Sequence, residues 1–264
     1  MDVPSLHSEF LSDALPRIRQ DARVAGVAIT GSIAGGHPDA YSDVDLILVI
    51  DDEAYDAVMQ ERLALIGSWA SLVAGFTGEH VGEPRLIITL VGPPLLHVDF
   101  KFVRASDFAE RIDNPEVLWD RVGILVGALA QQPPTTPSLD LQWFEDRFWI
   151  WVHYGATKLG RGELFETIGF LNYLRETVLG PLAARRVGAI PRGVRHLETI
   201  APEQARDLQA TLCGYDRHEA GQALLAAIDL YRRWSDDGGA VVERRHHAEK
   251  LTLQYLHDVI DQGH

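Results

Sequence analysis

The chain has 264 residues, 46% of them hydrophobic and 23% charged, enough to bury one large core or two smaller ones and too apolar to stay disordered. Its 24 Lys and Arg against 38 Asp and Glu leave a formal charge of −14, which repels the phosphate backbone and argues against a nucleic-acid partner. One cysteine, Cys213, excludes an internal disulfide framework and a cysteine-built zinc site. No run approaches the roughly 20 apolar residues of a membrane span, and the start MDVPSLHSEF lacks a basic-then-apolar leader. A soluble cytoplasmic protein with no membrane partner is therefore expected, and nothing in the sequence sets its oligomeric state.

Leu6, Phe10, Leu11, Leu15 and Ile18 recur at helical spacing, which predicts an amphipathic helix over residues 5–20 despite Pro16. RVAGVAIT, residues 23–30, is apolar and reads as a strand that stops at Gly31-Ser32. After a glycine-containing stretch, DVDLILVI, residues 43–50, is apolar on both faces beyond its first three residues, as in a central strand covered on both sides. Residues 54–74 show helical periodicity behind an acidic first turn at Asp51, Asp52 and Glu53. RLIITLV (85–91) and LLHVDFKFV (95–103) flank Gly92-Pro93-Pro94, a hairpin signal. The order helix, strand, glycine turn, strand, helix, strand, strand defines a compact α/β unit. QQPPTTPSLD, residues 131–140, then interrupts all periodicity. The boundary placed there gives an α/β domain over 1–131, with a small mixed sheet and flanking helices, and an all-helical domain over 141–264. Helices are predicted in the latter at 141–159, 164–182 (to Gly180-Pro181), 202–212, 218–234 and 242–261.

The chemistry is concentrated in GSIAGGHPDAYSDVDL, residues 31–46. One strand delivers the chain to Gly31 and Ser32, and the next opens at Ser42-Asp43-Val44-Asp45. Alternation projects Asp43 and Asp45 to one side. Two carboxylates on one face are costly unless a positive charge neutralises them, and a hard divalent ion such as Mg²⁺ does so. A third carboxylate, Asp99, interrupts the apolar run LLHVDFKFV, with His97 and Lys101 two residues either side and so on its face. If that strand lies beside the one bearing Asp43 and Asp45, the three acids converge in a cluster able to hold two metal ions. Gly31 lets the backbone approach a phosphate, and Ser32 offers an N–H and a hydroxyl. The segment lacks the lysine and spacing of a Walker P-loop and has no G-x-G-x-x-G.

At Gly31, Ser32, Asp43, Asp45 and Asp99 the sequence resembles nucleotidyltransferases of the DNA polymerase beta superfamily, whose signature is Gly-Ser, then Asp-x-Asp, then a third acid on a later strand. Within that superfamily it looks most like the antibiotic-modifying adenylyltransferases, of the aminoglycoside and lincosamide type. HVDFKFV, VLWDRVGIL (117–125) and FWIWVHYGATKLGRGE (148–163) bring it nearest to the streptomycin-directed branch. The resemblance implies a nucleotidyltransferase fold and Mg²⁺-dependent transfer of AMP from ATP to a hydroxyl of a small acceptor. It implies Asp43, Asp45 and Asp99 as ligands of two Mg²⁺ ions, with Asp99 also able to take the acceptor's proton. Gly31, Ser32 and Ser42 fall on the nucleotide side, with Lys101, Lys158 and Arg161 as triphosphate-binding candidates. The negative net charge favours a cationic acceptor.

Competing readings exist for each group. Asp43 and Asp45 could be solvated at a strand edge, although the apolar run that follows them weighs against this. Lys158 and Arg161, with Tyr154, share one helical face, which is also what a solvated helix face looks like. Trp143, Trp149 and Trp151 are candidates for the base or acceptor pocket and equally for the core. Glu79, His80 and Glu83 are read as a loop that offers an alternative base. His246 and His247 point about 100° apart on a helix and cannot share an ion well. Two rival functions remain: nucleotidyl transfer to a protein or RNA, as in toxin-like relatives, and a nucleotide-binding module without catalysis.

Overall fold

The computed structural model describes residues 3–135, 138–236 and 241–262. Thr136 and Pro137 of the predicted boundary stretch lie outside the described residues, as do the outermost ends of both predicted domains. The chain divides into two compact units, Met1–Thr136 and Pro137–His264. Among the described residues no helix is long and apolar enough to cross a membrane.

The first unit runs α1 (Ser5–Ile18), β1 (Val24–Ile29), the one-turn α2 (Gly31–Ala34), β2 (Val44–Ile50), α3 (Tyr55–Trp69), β3 (Leu72–Gly78), β4 (Glu83–Val91), β5 (Leu96–Arg104), β6 (Glu116–Asp120) and α4 (Ile124–Gln131). Its six strands form one mixed sheet in the order β3-β4-β5-β2-β1-β6. Neighbours pair antiparallel except β2 and β5, which run parallel at the centre. Alternation sorts the two central strands. Val44, Leu46, Leu48 and Ile50 of β2 join Leu96, Val98, Phe100 and Phe102 of β5 in a core closed by α1 and α3. The Tyr55 hydroxyl of α3 donates to the Phe102 carbonyl across that layer. On the opposite face Val49, Val103, Phe108, Leu125 and Ala128 form a smaller core under α4. Asp45, Asp99 and Lys101 belong to that second face, toward the strand starts and beyond the smaller core.

The central strands and the β4–β5 hairpin follow the sequence expectation. Two strands do not. The helix predicted over 54–74 ends at Trp69, and Leu72–Gly78 is an edge strand. Ala70 turns extended at the helix end, and LVAGFTG carries two glycines that a helix disfavours. Val73 and Phe76 are each 56% exposed on this edge, so the strand lacks the burial that marks β1 and β2. The short β6, at the other edge, ends in the first four residues of VLWDRVGIL, and α4 follows it. Glu83 opens β4 instead of lying in a loop.

The second unit contains α5 (Leu141–Gly160), α6 (Leu164–Leu174), a π turn over Arg175–Leu179, α7 (Gly180–Arg186), α8 (Leu197–Ile200), α9 (Pro202–Leu208), α10 (Arg217–Ser235) and α11 (His246–Asp261). The Asp140 and Asp216 carboxylates accept from the backbone N–H of Trp143 and Glu219, starting α5 and α10 with side-chain caps. Phe148 of α5 stacks on Tyr231 of α10 at a centroid distance of 3.7 Å. Gly180-Pro181 does not end the helix as expected. The π turn before it already breaks the i→i−4 ladder where proline has no N–H. A side chain at Gly180 would collide with the Gly193 carbonyl, which explains the glycine.

Candidate active site

β1 ends at Ile29, and the Thr30 N–H donates to the Asp45 carbonyl at 2.9 Å, so the chain enters Gly31 already tied to β2. Gly31 has φ 67°, a left-handed conformation that a side chain would strain. A Cβ there would also collide with Asp45 Oδ2, so the glycine leaves room for the carboxylate. The Ser32 hydroxyl is buried with no hydrogen-bond partner. A buried polar atom without a partner costs stability, and a site that receives a ligand is one place where such a cost is kept.

The parallel joint sets the acids. Asp45 of β2 is the register partner of Asp99 of β5, on strands that lie about 4.8 Å apart. Asp43 immediately precedes β2. Its charge is felt at Asp99, whose carboxyl is pushed above the usual carboxylate range mainly by burial and secondarily by Asp43, against the opposing pull of His97. The Asp99 side chain is 17% exposed, and its Oδ1 lies 3.0 Å from His97 Nε2.

Among the described residues, no three His, Cys, Asp or Glu side chains close into a group able to hold a metal ion. Asp99 instead leans on His97. The donor set nevertheless fits a hard divalent cation in kind: the Asp45 and Asp99 carboxylates are in register, Asp43 acts electrostatically on Asp99, and Asp99 is poorly compensated where it stands.

The remaining candidates are placed as follows. The Ser42 hydroxyl closes a turn, accepting the Asp39 N–H at 2.9 Å and donating to Asp39 Oδ1 at 3.1 Å. Lys101 Nζ lies 2.8 Å from Glu83 Oε2. Arg85 first, and Lys101 with it, hold the Glu83 carboxyl down to about 2. A carboxylate held that low is a poor proton acceptor, which weighs against Glu83 as the alternative base. Glu79 is likewise lowered, by the Thr77 hydroxyl. In the helical unit Lys158 Nζ lies 2.7 Å from Glu163 Oε2 and over the Tyr154 ring, while Arg161 follows the end of α5 with its side chain 67% exposed. Both lysine candidates thus hold carboxylates in this arrangement. Trp149 is core, whereas Trp143 and Trp151 contact one another in a row of rings that continues to Tyr173. His246 and His247 are exposed.

One residue beside the site escapes sequence reasoning. His7 of α1, 1% exposed, reaches the Ser42 carbonyl with Nε2 at 2.6 Å. Its only sequence signal is a polar residue within the apolar stripe of α1, and the partner lies 35 positions on.

Residues 11–90 match the family model described as a nucleotidyltransferase domain. The match includes Gly31, Ser32, Asp43 and Asp45 and stops before Asp99. No curated protein matches. Among solved structures, a nucleotidyltransferase-like protein from Exiguobacterium sibiricum is similar over 97% of this chain and 80% of its own, at 12% identity and a TM-score of 0.41. Residues 11–90 are thus similar to a nucleotidyltransferase domain, the six-stranded mixed sheet with flanking helices is consistent with that fold, and nucleotidyl transfer is the class of reaction such a domain supports.

Proposed function

We propose that the protein moves AMP from ATP to a hydroxyl of a small, aminoglycoside-like acceptor and releases pyrophosphate. The observation that carries this reading is the register pairing of Asp45 with Asp99, beside a left-handed Gly31 and a buried, unpartnered Ser32 hydroxyl. Asp43, Asp45 and Asp99 would hold Mg²⁺, in two ions as the sequence resemblance implies. Bound divalent ions supply neutralisation of the triphosphate and of the charge that develops on the leaving pyrophosphate. Ser32 and the backbone at Gly31 contact the phosphate oxygens. Asp99 takes the proton from the acceptor hydroxyl as that oxygen attacks the α-phosphorus and the bond to pyrophosphate breaks. A carboxyl raised by burial is better matched to that task than an ordinary surface aspartate. Acceptor recognition falls to the helical unit in this reading, and the −14 charge favours a cationic acceptor.

The test is pyrophosphate release by the purified chain with Mg²⁺ and ATP or GTP, across a broad panel of aminoglycosides and lincosamides. Release that requires both the metal and one acceptor supports the reading. Nucleotide binding without turnover on any acceptor, protein acceptors included, would replace transfer by simple ligand binding. A mass increment on a protein would move the acceptor to another class.

A further inference from the structure

Asp43 is the one acid of the three whose position no strand sets. Asp45 and Asp99 lie within the β2–β5 ladder, whereas β2 begins at Val44 and residues 36–43 belong to neither a helix nor a strand. The backbone just before Asp43 is tied instead from the helix layer. His7 is the one polar side chain among the buried residues of α1, with Ala14 and Ile18. Because a carbonyl only accepts, His7 Nε2 carries the hydrogen and donates it to Ser42. That carbonyl belongs to the peptide plane that includes the Asp43 nitrogen, so fixing its direction removes rotational freedom at the point where Asp43 leaves the backbone.

The imidazole is an expensive way to fill this space. Its Nδ1 is buried with no partner, a loss that an apolar residue in the same stripe would not incur. What histidine adds over leucine or methionine is the bond to Ser42.

We propose that His7 is a positioning residue for the cation site: its bond to the Ser42 carbonyl holds Asp43 on the side of Asp45 and Asp99. The inference rests on the nucleotidyl-transfer reading, and it assigns the opening helix a part in metal binding that the acid motif alone does not contain.

The test compares the full-length wild-type protein with His7→Leu, which lacks the donor, and His7→Gln, whose amide nitrogen can replace Nε2–H. His7→Met serves as the donor-less form if His7→Leu does not fold. ATP affinity is measured by calorimetry with Mg²⁺ and with EDTA, and hydrogen exchange is followed over residues 37–44. Loss of one buried hydrogen bond predicts that the donor-less variant loses about tenfold of its Mg²⁺-dependent ATP affinity. Its affinity in EDTA should stay unchanged, its 37–44 segment should exchange faster, and His7→Gln should restore both. Equal Mg²⁺ dependence in all three proteins would overturn the inference and leave the proposed function standing, as would a loss in His7→Gln as large as in His7→Leu. A wild-type protein whose ATP affinity ignores Mg²⁺ would overturn both.

Discussion

Two carboxylates in this molecule show how differently the same group is treated in two places. Glu145 in the helical unit is 1% exposed, yet it accepts from Trp149 Nε1 at 2.9 Å, the Tyr231 hydroxyl at 2.7 Å, Arg244 Nη1 at 2.9 Å and the Arg245 N–H at 2.9 Å. Desolvation works to raise it, but these four donors outweigh burial and leave the carboxyl below its ordinary value. Asp99 in the sheet is less buried, at 17% exposed, yet burial dominates there and the carboxyl is raised. The difference lies in the number of donors. Glu145 is saturated and pins the chain around Arg244 and Arg245 to α5, while Asp99 has one ring nitrogen and a like-charged neighbour, Asp43. A saturated buried acid is a structural joint, and an undersupplied one is available to a cation.

The largest effect that can break this contrast is catalytic. Asp45→Asn and Asp99→Asn should each lower nucleotidyl transfer by about 10² to 10³-fold, measured as pyrophosphate release. Asp99→Asn should melt no lower than wild type, since it removes a desolvated charge. A marked drop in its melting temperature with turnover intact would make Asp99 a second Glu145. The converse substitution, Glu145→Ala, should cost about 3 kcal/mol in urea unfolding, because Arg244 and the Tyr231 hydroxyl lose a buried partner. Transfer per folded molecule should not change.

A smaller effect sharpens the comparison with a third acid. Glu83, bonded first by Arg85 and also by Lys101, is held at about 2 against an ordinary 4.5. Its folded-state value is the depressed one, so the stability it adds is complete above about pH 4.5 and fades as the pH falls toward 2. The side chains of Lys101 and Arg85 are 36% and 40% exposed, and screening leaves about 1 kcal/mol at neutral pH. Glu83→Gln should therefore be less stable than wild type by that amount at pH 7, with the gap closing at pH 3. A gap that stays constant with pH would mean the carboxylate contributes through packing instead of charge.

What could be read from the amino-acid order divides along the range of the interactions involved. The alternation of β2, the β4–β5 hairpin and the Gly31-Ser32 to Asp43-x-Asp45 spacing are local patterns and were legible. β3 was not, because its outer residues Val73 and Phe76 are exposed and its register is borrowed from β4. Glu145 carries no comparable local pattern, because its partners at Tyr231, Arg244 and Arg245 lie far along the chain. His7 was invisible for the same reason. Lys101 and Lys158 could be singled out as rare lysines, but not the carboxylates that each one holds, at Glu83 and Glu163.

The single parallel pairing in the sheet has a consequence for how the molecule matures. Hairpins such as β3–β4 and β4–β5 join neighbours in the chain and can zip early, whereas β2 meets β5 only after α3, β3 and β4 have been accommodated between them. Asp45 and Asp99 face each other nowhere else. A nascent or refolding chain therefore has no partial version of this acid pair to offer, and capture of a divalent ion would report that the central seam of the sheet has shut.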